Sequence, residues 1–237
     1  MLTYEGDTFK IVMRRYSDPD RLNLAYNAAT YLGKSDKDNI RRPLSIIKQG
    51  HVPEIFRGEH VEFEFIDVSK EVYDHFVTYT TRDMRVAGGN RALTSTNFTI
   101  PSDKMKDPAN VWRHVNESFE HYVSLLESGE TPQVARAAMP TAAKLNPFIY
   151  QFNFLTLMQS FFKQRIWEKG AQGNTVKVVR GMWELCHSQD PDLWDTAYDY
   201  FGTPMVEWRE IRDRLRKHEP ELYERLMKQY GPQKSMW

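Results

Sequence analysis

From Glu59 to Ile66 the chain reads Glu-His-Val-Glu-Phe-Glu-Phe-Ile, which puts Val61, Phe63 and Phe65 on one side of a pleat and Glu62 and Glu64 on the other. That period-two alternation predicts a half-buried strand. Thr8 to Tyr16 alternates less regularly and predicts a second strand, ended by Ser17-Asp18-Pro19; Phe148 to Phe152, after the turn pair Asn146-Pro147, predicts a third. Elsewhere the apolar spacing is helical. Asp18 or Asp20 can cap a helix with Leu22, Ala25, Tyr26 and Ala29 on one face and Gly33 at its end. A short helix is expected from Pro43 to Gln49, and Ser69 is expected to cap one carrying Val72, Phe76 and Tyr79 up to Arg82. After Pro108, Val111, Val115, Phe119, Tyr122 and Leu126 fall in register until Gly129. Thr131-Pro132 opens a short helix that carries Ala135 and Arg136, and Asn153 can cap one running through Leu157, Met158, Phe161 and Phe162 to Arg165. Further helices are expected over 173–186 and 192–230, with breaks near Gly202-Thr203-Pro204 and at Pro220. Val86 to Asn97 has no period, contains Gly88-Gly89, and predicts a long loop of the kind that often carries function.

The sum is an α+β fold, helix-rich, with a small mixed or antiparallel sheet. The 237 residues suit one main domain, taken as 1–205, and a C-terminal helical extension, 206–237. Lys plus Arg and Asp plus Glu both number 32, so no net field draws the chain to a nucleic acid polymer or an anionic membrane; any bound anion must be held locally. Cys186 is the only cysteine and cannot form an intramolecular disulfide, and Met1 is followed by no basic-then-apolar leader. No apolar run reaches the roughly 18 residues of a membrane span. A soluble, cytoplasmic protein is expected.

Three arginines stand beside apolar runs or the glycine loop: Arg136, Arg165 and Arg85. Their forked donors suit a phosphate or a pyrimidine carbonyl edge, and a structural ion pair is the competing reading for each. His51, His60 and Glu59, or Cys186-His187, lack the spacing of a known metal motif, so no metal is expected. Cys186 shares a helical stripe with Val179 and Trp183 and reads as a buried structural thiol, which disfavours a thiolate nucleophile.

Taken in order, the motifs from about residue 40 to 205 resemble the flavin-dependent thymidylate synthases. Gly50-His51, Phe56 and Glu59-His60 lead into the 61–65 strand, Arg82-Asp83-Met84-Arg85 stands for an Arg-His-Arg signature, and Ala135-Arg136-Ala137-Ala138-Met139-Pro140 matches Ala-Arg-x-x-Leu-Pro. Asn153-Phe154-Leu155-Thr156-Leu157 stands for Asn-x-Arg-Ser-Leu, and Arg165 followed by Gly170-Ala171-Gln172 for Arg followed by His-Ala-Gln. The resemblance implies a homotetramer that methylates C5 of dUMP, with FAD as cofactor and methylenetetrahydrofolate and NADPH as co-substrates. It implies Arg165 as the catalytic residue, stabilising charge on the pyrimidine. Arg136, Arg85, Ser95 and Gln172 would hold the substrate, and His51, Arg82, Arg85, Asn90 and Asn153 the flavin. The family also works without a cysteine nucleophile.

Several positions depart from the pattern. Asp83-Met84 replaces the signature histidine, Asn90-Arg91 stands where Asn-Glu is expected, Leu155 replaces an arginine and Gly170 a histidine. These changes keep two alternatives open: a family member that modifies another pyrimidine nucleotide, and a catalytically silent nucleotide-binding homologue.

Overall fold

The 60–66 alternation lies at the middle of an antiparallel sheet. The computed structural model describes residues 1–50, 54–77, 83–88, 97–100, 105–168 and 173–230. Among them, β1 (Leu2–Glu5), β2 (Lys10–Tyr16), β3 (His60–Ile66), β4 (Asp83–Ala87) and β5 (Phe148–Asn153) form one sheet in the order β1-β2-β3-β5-β4. In β3, Val61, Phe63 and Phe65 are buried, and the residues between them are only partly so. Directly opposed residues of an antiparallel pair share a face, and the register sets Val61 against Phe152, Phe63 against Tyr150 and Phe65 against Phe148. One face therefore becomes a continuous aromatic layer. On the other, Arg14 reaches Glu62 at 3.4 Å and Glu64 at 3.8 Å.

The helices are α1 (Leu22–Tyr31), α2 (Arg42–Lys48), α3 (Lys70–Val77), α4 (Pro108–Glu127), α5 (Pro132–Ala135), α6 (Phe154–Thr156), α7 (Gly173–Gln189), α8 (Pro191–Ala197), α9 (Thr203–His218) and α10 (Pro220–Tyr230). Phe76 of α3 closes the aromatic layer, its ring 4.9 Å from that of Phe65, 5.8 Å from Phe152 and 5.4 Å from Phe161. Cys186 is buried on α7, and burial pushes its thiol well up in pKa.

Asp18 caps α1 as expected, its buried carboxylate accepting from the N–H groups of Asn23 (3.1 Å) and Leu24 (2.8 Å). Gly33, at φ 64°, ends that helix in the left-handed conformation that suits glycine. Arg21 then ties this corner to α8 through Asp190 at 3.1 Å and Asp192 at 2.9 Å. Trp194 Nε1 donates to the Tyr16 hydroxyl at 3.0 Å.

Several expectations are corrected. The buried face of α1 is Leu24, Ala25, Ala28 and Ala29, whereas Leu22 and Tyr26 are 48% and 50% exposed. Ser69 precedes α3 but does not cap it: its buried hydroxyl has no hydrogen-bond partner among the described residues. The first N–H groups of α3 instead reach the carbonyls of Ala143 and Thr141, both at 2.9 Å. Val86 and Ala87 belong to β4, not to a loop: Ala87 pairs with Ile149 of β5, and Val86 sits at the register shift between Arg85 and Ala87. Gly88 follows at φ 78°, where a Cβ would collide with the Pro147 carbonyl and Phe148. β1, not foreseen, is a short edge strand held by β2 through pairs from Leu2–Met13 to Glu5–Lys10. The helix capped by Asn153 leaves α geometry after Thr156 and is π-wound over Leu157–Phe161 and Lys163–Trp167. At Gly202 the chain likewise passes through a π-turn, Tyr198–Gly202, into α9 without breaking. Tyr79 and Arg82 lie outside the described residues.

Candidate functional site

β4 is the edge of the sheet, and its register decides which way Arg85 faces. Arg85 pairs directly with Tyr150, which is buried in the aromatic layer with its ring 6.0 Å from Phe76. Arg85 thus shares the helix-covered face of the sheet, yet it is exposed because no described strand lies beyond it. On that same face α3 places His75 next to Phe76, and the chain running on from Phe161 places Arg165 four residues later, within the second π-wound stretch. Such π-turns interrupt regular backbone pairing and recur at functional sites.

His75 and Arg165 are electrostatic neighbours. Burial first, and the Arg165 cation second, push the His75 imidazole below its ordinary pKa, with Asp74 opposing. The imidazole is therefore neutral near pH 7 while the guanidinium keeps its charge. Arg165 itself is half-buried, which strengthens its field over that of a fully solvated cation.

Arg136 follows α5, whose first turn is capped by Thr131 Oγ1 accepting from Val134 N–H at 3.4 Å. Its guanidinium donates to Gln133 Oε1 at 2.8 Å. It lies close enough to α4 to oppose the rise that burial causes in the Tyr122 phenol pKa. Tyr122 is the one fully buried residue of α4; the rest of that helix's apolar stripe is half-covered.

Asn153 is committed to the fold. Its Oδ1 caps α6 by accepting from Thr156 N–H at 2.8 Å. It pairs across the sheet with His60, whose Nε2 is buried without a hydrogen-bond partner among the described residues. Burial and then Arg15 depress the His60 pKa, with Glu59 and Glu62 opposing. Next to it the Ser17 hydroxyl donates to the buried Glu59 carboxylate and accepts from His60 N–H at 2.8 Å. His51, Arg82, Asn90, Ser95 and Gln172 lie outside the described residues.

Arginines, a neutral histidine and a buried inert thiol suit chemistry on an anionic ligand without thiolate attack. Residues 16–192 match the family model described as thymidylate synthase complementing protein. The chain belongs to that family. The match begins at the end of β2, contains Arg85, Arg136 and Arg165, and stops before α9. Among solved structures, this member of the thymidylate synthase complementing protein family is similar to PolB, a UMP/dUMP methylase from Streptomyces cacaoi bound with 5-Br dUMP. The TM-score is 0.63 at 15% identity, over 82% of this chain and 96% of that one. At that identity the likeness speaks for the fold. No curated protein sequence matches the chain.

Within this family member, sequence reasoning isolated Arg85, Arg136 and Arg165 because each is a cation among apolar or glycine-rich neighbours. It missed His75, whose helical spacing is ordinary and whose partner Arg165 is remote in the chain. It also missed the Ser17–Glu59–His60 cluster, since Ser17 had been read only as the end of a strand. Among the described residues, no helix is long and apolar enough to cross a membrane.

Proposed function

We propose that the protein methylates C5 of a uracil nucleotide, dUMP in the first instance, taking the carbon from methylenetetrahydrofolate and the electrons from NADPH through FAD. The family match over residues 16–192 carries this reading. The reacting carbon is made nucleophilic by electron density pushed into the pyrimidine ring, and charge then gathers on the ring oxygens. A half-buried, permanently charged guanidinium is the device that stabilises such an enolate-like state, and Arg165 takes that role. His75 beside it, its pKa lowered chiefly by burial and then by Arg165, adds no second charge to the guanidinium near neutral pH. Arg136 would hold the nucleotide phosphate, a planar fork against phosphate oxygens, with Arg85 as a second donor at the sheet edge and Ser95 and Gln172 completing the set. The inert Cys186 agrees with a route that needs no enzyme-bound thioether.

Of the expected flavin positions, Arg85 and Asn153 are described. Arg85 fits, being an exposed fork able to meet a diphosphate. The Asn153 carbonyl oxygen already accepts the helix-capping N–H of Thr156. A bound flavin would supply the electron pair that turns a methylene into a methyl group, and the steps assigned above to this chain concern the nucleotide alone. A homotetramer with nucleotide sites at subunit junctions accords with the exposed Met84 and Val86 on edge strand β4 and the exposed Trp112 on half-covered α4.

Melting temperature with UMP, dUMP and dCMP, together with the visible absorption of the protein incubated with FAD, tests the proposal. A rise with dUMP and a flavin spectrum are expected, since a ligand that binds only the native state raises the transition. A response to dCMP but not dUMP would replace the substrate. Nucleotide binding with neither flavin nor turnover would leave the silent homologue.

A further inference from the structure

α9 and α10 lie beyond the family match, which ends at residue 192, and α9 has no fully buried residue. The arm is fastened at its root, where Arg209 Nη1 donates to the Trp167 carbonyl at 2.7 Å. On another face, α9 shows solvent a stripe at helical spacing: Pro204 and Trp208, then Ile211, with half-buried Leu215 next along it. Trp208 and Ile211 are each 42% exposed. An isolated exposed side chain needs no explanation, but a large aromatic and a β-branched residue aligned on one helix face form the anchor type of an interface.

Charge along the helix is divided. Glu207 and Glu210 precede Ile211, with Arg209 between them held on the Trp167 carbonyl, whereas Arg212, Arg214, Arg216 and Lys217 follow it, with Asp213 the one acid among them. Exposed Glu207 and Arg214 flank the stripe on the same side. They are seven residues apart, about 10 Å along the axis, too far to pair within one helix.

We propose that α9 docks on α9 of a second copy of this chain, antiparallel, about a twofold axis at Ile211. That axis brings position 208 beside 214 and position 207 beside 215. Each Trp208 then covers the Ile211–Leu215 stretch of the other copy, and each Glu207 meets Arg214 of the other copy, twice by symmetry. A parallel pairing would instead set acid against acid and base against base. The apolar stripe supplies affinity, and the charges select orientation.

Sedimentation velocity of the full chain over a concentration series, compared with W208E/I211E, E207R, R214E and E207R/R214E, tests this contact. All these side chains are partly or fully exposed, and circular dichroism checks that each variant folds. W208E/I211E is expected to need about tenfold or more higher concentration to reach the wild-type mass. Each single charge reversal weakens assembly, and the double reversal restores it. An unchanged mass distribution for W208E/I211E, or a double reversal that associates less well than both singles, overturns the proposal. Nucleotide binding is read separately by thermal shift, so loss of the arm contact is distinguishable from loss of the active site.

Discussion

The aromatic layer and the cationic side chains around it are built on opposite terms. In the layer, Phe63, Phe65, Phe76, Phe148, Phe152 and Phe161 are all buried, with rings of Phe76 and Phe65 or Phe152 and Phe161 at 4.9 Å. Outside the layer, Arg85 is exposed on edge strand β4, and Arg165 and His75 are half-buried on a π-wound turn and a short helix. The first region gains stability by excluding water. The second keeps cations partly desolvated, which costs stability and strengthens their field on a ligand. The difference teaches that α3 serves both: Phe76 faces the layer and His75, one residue earlier, faces Arg165.

The comparison breaks hardest at Phe76. Phe76→Ala should lower stability by about 3–5 kcal/mol, the usual cost of emptying a large aromatic site, measured by urea unfolding at constant slope. Phe76→Leu should lose less while following the same trend. A loss under about 1 kcal/mol for the alanine variant would mean that the layer is not the stabilising unit.

Arg165→Ala should do the converse. Turnover on dUMP should fall by about 10²–10³, the range for removing one preorganised charge donor, while the melting temperature stays near wild type. Arg165→Lys keeps the charge but not the fork and should recover only part of the rate. Full activity in Arg165→Ala, or unfolding without a kinetic effect in the folded fraction, would remove Arg165 from the chemistry.

Legibility in the sequence followed the same division. β3 and α4 were readable because their side-chain periods are local, repeated and strongly amphipathic. The caps of α1 and α6 were readable because Asp18 and Asn153 act on N–H groups a few residues away. β1 and β4 were not, since short edge strands are held by a partner's ladder and carry little pattern of their own. The face of α1 was misjudged because its contact surface is mostly alanine, and the larger Leu22 and Tyr26 point outward. π-winding adds one residue to a turn and leaves the apolar spacing of 154–167 looking merely helical. At the site, single cations stood out. The neighbourhood that tunes Arg165 did not, because it joins α3 to the π-wound stretch after α6, remote from it in the chain.

The finest test of the comparison is the pH dependence carried by His75, because it sits where the two regions join. Its pKa is lowered in the fold, chiefly by burial and then by the Arg165 charge, against the weaker pull of Asp74. The unfolded chain therefore binds the His75 proton more readily than the native state does. The resulting stability is present above the ordinary imidazole pKa of about 6.5 and is lost as pH falls toward the lowered value. His60 is lowered too, through different neighbours, and buried Asp18 and Asp190 are raised, so the wild-type profile is a sum. Subtraction isolates one member: His75→Asn should lose less melting temperature than wild type between pH 7 and roughly pH 5.5. Restoring an ordinary environment by Arg165→Ala should shrink the His75 contribution without abolishing it, since burial remains. Parallel melting curves for wild type and His75→Asn across that interval would mean that the fold does not lower the His75 pKa, and a His75 contribution unchanged in Arg165→Ala would place His75 outside the influence of Arg165.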